Sequence, residues 1–123
     1  MIEIISDVPE GTVGIRLSGE IDASAYKATI EPAVKAALAN RDKINALVVV
    51  SDEGVDLTPG AMWEDAKVGL SHPRAWHRAA LVAPEAWWSR LVPVMSALMP
   101  GELRTFAPDH LAEARTWLAS GAG

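Results

Sequence analysis

The sequence predicts a single α/β domain: an N-terminal β-hairpin followed by repeated strand–helix units, giving a five-stranded mixed sheet with four main helices. Three observations carry that expectation. Two short apolar segments at the N-terminus are joined by a Pro/Gly turn. Two uninterrupted apolar runs, within Ile44–Val50 and Arg78–Ala83, read as strands covered on both faces. Segments with apolar residues at helical spacing separate and follow these runs, and such alternation implies parallel pairing beyond the hairpin, with right-handed crossovers.

The elements follow in order. Ile2–Asp7 and Thr12–Glu20 read as strands. In the second, Val13, Ile15 and Leu17 alternate with Gly14, Arg16 and Ser18, so one face is buried and the other wetter. Between them Pro9 presets φ and Gly11 permits positive φ, which is hairpin chemistry. Asp22 or Ser24 then caps a helix whose Tyr26, Ile30, Ala33, Val34, Ala37 and Leu38 share one face. Pro32 inside it predicts a kink, or a break into two short helices.

After the strand Ile44–Val50, the acidic stretch Ser51–Leu57 reads as a loop. Thr58 and Pro59 suit the N-cap and first position of a second helix, on which Met62, Trp63, Ala66 and Leu70 share a face. Strand Arg78–Ala83, helix Glu85–Met99, strand Glu102–Phe106 and helix Asp109–Ala119 complete the pattern, the last with Leu111, Ala114, Trp117 and Leu118 inward. Residues 1–120 form the domain, and 121–123 read as a flexible tail.

Half of the 123 residues are hydrophobic and 22% are charged, the balance of a globular chain rather than a disordered one. A net charge of −5 repels phosphate backbones, so nucleic acid is not an expected partner. The absence of cysteine excludes disulfides, thiolate nucleophiles and cysteine metal sites. The N-terminal segment carries an acid and no basic flank, unlike a secretory signal. Leu91–Pro100, the most apolar stretch, is too short to span a bilayer. The expected location is cytoplasmic, with peripheral attachment to a membrane left open.

Chemistry-bearing residues form no persuasive constellation. His72, His77 and His110 stand at no metal-binding helical spacing. Asp52, Glu53 and Asp56 follow a central strand, where open α/β sheets bind ligands, and such carboxylates could hold Mg²⁺. No phosphate-cradling glycine loop accompanies them, however, and solvated loop acids are the plainer reading. No Gly-x-Ser-x-Gly elbow occurs. The expectation is a protein with no catalytic residue, no metal site and no cofactor.

The stronger signal is apolar. Five of the seven aromatic residues are tryptophan, at 63, 76, 87, 88 and 117. On a helical wheel for 85–99, Trp87, Leu98, Leu91, Met95, Trp88, Met99 and Val92 fill an arc of about 140°, wider than the ~100° stripe a core-facing helix needs. Full burial of one indole is worth about 4–6 kcal/mol by area, so an uncovered one implies a partner. Trp63, Trp87, Trp88, Leu91 and Met95 are therefore the candidate binding residues. Their cover would be a lipid-like small molecule, a membrane surface or another protein chain, unless neighbouring elements hide them.

Four segments, Ser18–Glu20, Gly60–Lys67, Met99–Phe106 and Ala114–Leu118, resemble the SpoIIAA-like family, relatives of the STAS domains of anti-sigma factor antagonists and anion-transporter tails. The resemblance implies a strand–helix fold on a mixed sheet without an enzyme reaction. For some members it also implies membrane association and uptake of nonpolar ligands. Phosphorylation-switched relatives carry a phosphoacceptor serine at the start of the helix after the central strand. Thr58 is the nearest match here, although Pro59 and Gly60 depart from that pattern and helix capping is its alternative job. The leading expectation is a non-catalytic STAS-like domain that binds an apolar ligand or docks reversibly on a membrane. The alternative is a regulatory interaction module of the anti-sigma factor antagonist type, meeting a protein partner or a second copy of itself.

Overall fold

The computed structural model describes residues 2–39, 41–57, 76–98 and 102–120. Their element order is β1 (Ile2–Ile5), β2 (Thr12–Ile21), α1 (Ala23–Leu38), β3 (Ile44–Leu57), β4 (Trp76–Val82), α2 (Glu85–Leu98), β5 (Glu102–Phe106), a 3₁₀ turn (Pro108–His110) and α3 (Leu111–Ser120). The second expected helix, from Thr58 to Leu70, and the expected tail lie outside the described residues. The five strands form one sheet in the order β1-β2-β3-β4-β5. β1 is antiparallel to β2, and every later pair is parallel. This is the mixed sheet that the hairpin and the strand–helix alternation predict.

Because side chains alternate along a strand, the sheet has two faces with separate cores. On one, Val13, Ile15, Leu17, Ala46, Val48, Val50, Ala79 and Leu81 pack against Tyr26, Ile30 and Val34 of α1, with Trp87, Trp88, Leu91 and Val92 of α2 beside them. On the other, Leu47, Ala80, Val82 and Phe106 pack against Ala114 and Leu118 of α3. The connections carrying α1 and α2 both step the same way across the sheet, so a common handedness puts both helices on one face. The final helix closes the other.

α1 starts where its cap predicts: Asp22 is extended (φ −95, ψ 170) and its Oδ1 accepts the Ala25 amide at 2.8 Å. Of the two outcomes expected at Pro32, a kink or a break into two helices, the break does not occur. α1 runs unbroken from Ala23 to Leu38 with Pro32 inside it. The ring is exposed, while Ile30 and Val34 on either side are buried in the core, and their burial holds the helix together across the missing amide.

Two further expectations are corrected. Ser51–Leu57 is not a loop but the second half of β3. It continues because β2 also continues: Gly19, Glu20 and Ile21 pair with Val55, Asp56 and Leu57. Between Leu17/Val50 and Gly19/Val55, two steps of β2 face five of β3, so the extra chain is absorbed as an irregularity in the ladder. Trp76 and His77 belong to β4, which begins two residues before the apolar run suggests. The closing helix is entered through the 3₁₀ turn, and Leu111 opens α3.

The start of β4 explains the one buried polar side chain in the described core. From Ile44/Trp76 to Ala46/Ala79, β4 spends one residue more than β3, so the β3–β4 ladder is interrupted at Asn45, while Arg78 pairs with Glu102 of β5. Asn45, 4% exposed, takes up the consequence. Its Oδ1 accepts the Arg78 amide at 3.1 Å and its Nδ2 donates to the Leu118 carbonyl at 3.2 Å. The Arg78 guanidinium donates to the Trp117 carbonyl at 2.8 Å and to Ser120 Oγ at 3.3 Å. A cation and an amide donor thus meet two of the open carbonyls at the C-terminal end of α3, the negative end of its dipole.

Candidate functional site

α2 enters from β4 through Ala83 and Pro84, and its first turn is fixed at both chain ends. The Ala83 amide donates to Phe106 O at 3.1 Å, and the Trp87 amide to Pro84 O at 2.9 Å. Trp88 Nε1 donates to Ala83 O at 2.8 Å, so that indole is oriented by its one polar atom. The helix then carries Trp87, Trp88, Leu91 and Val92 against the α1-face core. All four are only partly buried, although each touches that core. Pro93 is inside the helix and exposed.

The structure therefore brings three of the five candidate binding residues, Trp87, Trp88 and Leu91, onto one helix and one core. Trp63 and Thr58 lie outside the described residues, as does the side chain of Met95. The other two tryptophans have structural work. Trp76 is 5% exposed within the α1-face core, with Nε1 meeting no hydrogen-bond partner among the described residues. Trp117 packs on Phe106, ring centroids 5.9 Å apart, beneath the Arg78 guanidinium at 4.8 Å. Arg104 adds a second cation 5.0 Å from the Phe106 ring centroid. Arginine stacked on aromatic rings was not legible from spacing, because Arg78, Arg104 and Trp117 come together only through the fold.

The acids Asp52, Glu53 and Asp56 lie along β3 rather than in a loop beyond a strand end, which removes the geometric reason for reading them as a cation site. Among the described residues no group of three or more His, Asp or Glu side chains could hold a metal ion. His77 is exposed on β4, and His110, also exposed, closes the 3₁₀ turn beside Asp109 and Glu113 at 3.9 Å each. No helix among the described residues is long and apolar enough to cross a membrane.

An antiparallel hairpin feeding parallel strand–helix units, with α1 and α2 on one face and a terminal helix on the other, defines a STAS-like α/β domain. A family model described as SpoIIAA-like matches residues 12–119, and the chain belongs to that family. It is similar to the crystal structure of an uncharacterized protein from Shewanella loihica PV-4 with a SpoIIAA-like fold. The TM-score is 0.71 at 25% sequence identity, over 96% of this chain and 92% of that one. No curated protein matches.

Proposed function

We propose that this chain is a non-catalytic STAS-like binding domain that takes an apolar, lipid-like ligand or docks reversibly on a membrane surface through α2. One observation carries the reading. Trp87, Trp88, Leu91 and Val92 pack on the core yet stay partly open, so the helix presents apolar area beyond what its own sheet covers. An indole held by Trp88 Nε1 on a backbone carbonyl is a fixed apolar plate, which loses little side-chain freedom on binding. Trp63 and Met95 are the remaining members of the apolar face expected from the sequence. The net charge of −5 favours neutral lipid over anionic lipid.

The test is titration with neutral phosphatidylcholine vesicles while following tryptophan emission and co-sedimentation, together with native mass spectrometry for a carried lipid. A blue shift with co-sedimentation, lost in Leu91→Glu, is expected for surface docking, and a retained lipid mass for the ligand version. No shift, no co-sedimentation and a bare protein mass would sink the proposal.

A further inference from the structure

A groove beside the hairpin takes none of its lining from α2. Between the hairpin and the C-terminal half of α1 is a groove of about 630 Å³, within the ~300–1,000 Å³ range of small-molecule pockets. Its walls are Ile4 and Val13 from the sheet and Ala33, Ala36 and Ala37 from α1, and Arg41 stands at its end. Ile4 is 51% exposed, and it is the large apolar side chain that the described residues leave most open to water. Trp87, Trp88 and Leu91 take no part in the lining.

The charged end is built as well as the apolar walls. Gly11 has φ +79, and a Cβ placed on it would fall 3.0–3.1 Å from the Nη1, Cζ and Nε atoms of Arg41. The guanidinium therefore lies close against the glycine backbone, and a side chain at position 11 would be strained by the positive φ and would push the guanidinium aside by a few tenths of an ångström. Arg41 Nη2 meets Glu10 Oε1 at 2.8 Å, but the glutamate is 92% exposed and the arginine 37%. A pair that open to water is weak and readily exchanged. A planar fork of donors beside an apolar trough suits a carboxylate with a hydrocarbon tail, the head displacing Glu10 and the tail lying over the alanines.

We infer that this groove binds a single-chain aliphatic carboxylate, with Arg41 as the head-group ligand and Ile4, Val13, Ala33, Ala36 and Ala37 as the tail channel. Glu10 is the internal competitor for the same cation. The inference stands whether or not α2 meets lipid.

Calorimetric titration with decanoate below its micelle concentration tests it, with decanol as the head-group control. Saturable one-to-one binding of decanoate is expected. Arg41→Gln should weaken it about tenfold or more, the scale of one lost charge-assisted contact, and leave decanol unchanged. Glu10→Gln should tighten decanoate, an opposite sign that a purely structural role for the pair does not produce. Ala36→Trp, at an exposed helix position, should block both ligands with the melting curve intact; Ala36→Leu serves if the larger residue disturbs the fold. Vesicle binding through α2 should persist in Arg41→Gln, so failure of one site is separable from failure of the other. No saturable decanoate binding, or equal binding by the wild type and Arg41→Gln, overturns the inference.

Discussion

Asn45 is where a single side chain decides the most. It joins the start of β4 to the end of α3 through two hydrogen bonds in a site that water does not reach. Asn45→Ala removes both partners at once and leaves the Arg78 amide and the Leu118 carbonyl unsatisfied. The expected loss is about 2–4 kcal/mol, read as a lower urea midpoint at unchanged slope. Asn45→Asp should cost at least as much, since it keeps the acceptor for Arg78 but turns a buried charge toward a carbonyl. A loss below about 0.5 kcal/mol, the scale of a surface substitution, would mean that the pair is decorative. Nothing in the sequence marks this asparagine: it occurs once inside an apolar run, and both of its partners come from distant parts of the chain. The tryptophans teach the same lesson, since composition singles out all five equally. Packing separates Trp76, which is buried in the α1-face core, from Trp87, Trp88 and Trp117, which are partly buried beside their cores, and only Trp117 of these three lies under an arginine.

At the scale of elements, local signals did well and non-local pairing supplied the remainder. The hairpin, the Asp22 cap, the apolar face of α1 and the inward residues of α3 are periodic or stereochemical features, and each appears as expected. The misreadings all involve tertiary override of a local rule. Ser51–Leu57 is acidic and holds one β-branched residue, Val55, yet it pairs because β2 offers a free edge as far as Ile21. At Pro32, of the two expected outcomes, a kink or a break, the break does not occur, because the packing of Ile30 and Val34 holds one continuous helix. The cost of that proline should therefore be recoverable. Pro32→Ala at this exposed position restores an amide and a better helix former, at the expense of a freer unfolded chain. A gain of about 1–2 kcal/mol is expected, measured as a raised urea midpoint. A lower midpoint would mean that the ring contributes packing that outweighs the backbone penalty. Of the candidate site, the helix and the placement of Trp87, Trp88 and Leu91 against one core were legible. The groove was not, because Ile4, Ala36 and Arg41 are unremarkable residues until the hairpin is folded against α1.

For the molecule as a whole, the central fact is a sheet that separates two cores. Ile30 of α1 and Leu118 of α3 are both nearly inaccessible, but they belong to clusters on opposite faces with no member in common. Helices pack about 10 Å from a sheet, so residues on the two sides lie beyond the range at which mutational effects usually couple. Ile30→Val should cost about 0.5–1.5 kcal/mol and Leu118→Ala about 2–5 kcal/mol, and the double variant should lose their sum to within about 0.5 kcal/mol. Leu118→Ala combined with Phe106→Leu, within one cluster, should instead depart from the sum, because the cavity opened by one change relaxes the packing of the other. Denaturant titrations of six proteins, the wild type, the three single variants and the two double variants, suffice to compare the two cycles. A large coupling between Ile30 and Leu118 would mean that strain crosses the strands. Ligand binding on the α1 face would then be felt at the Asn45–Arg78 clamp. Additivity would leave the α1 face, with its half-open α2 residues and the groove beside the hairpin, able to change its contacts while α3 keeps the opposite face closed.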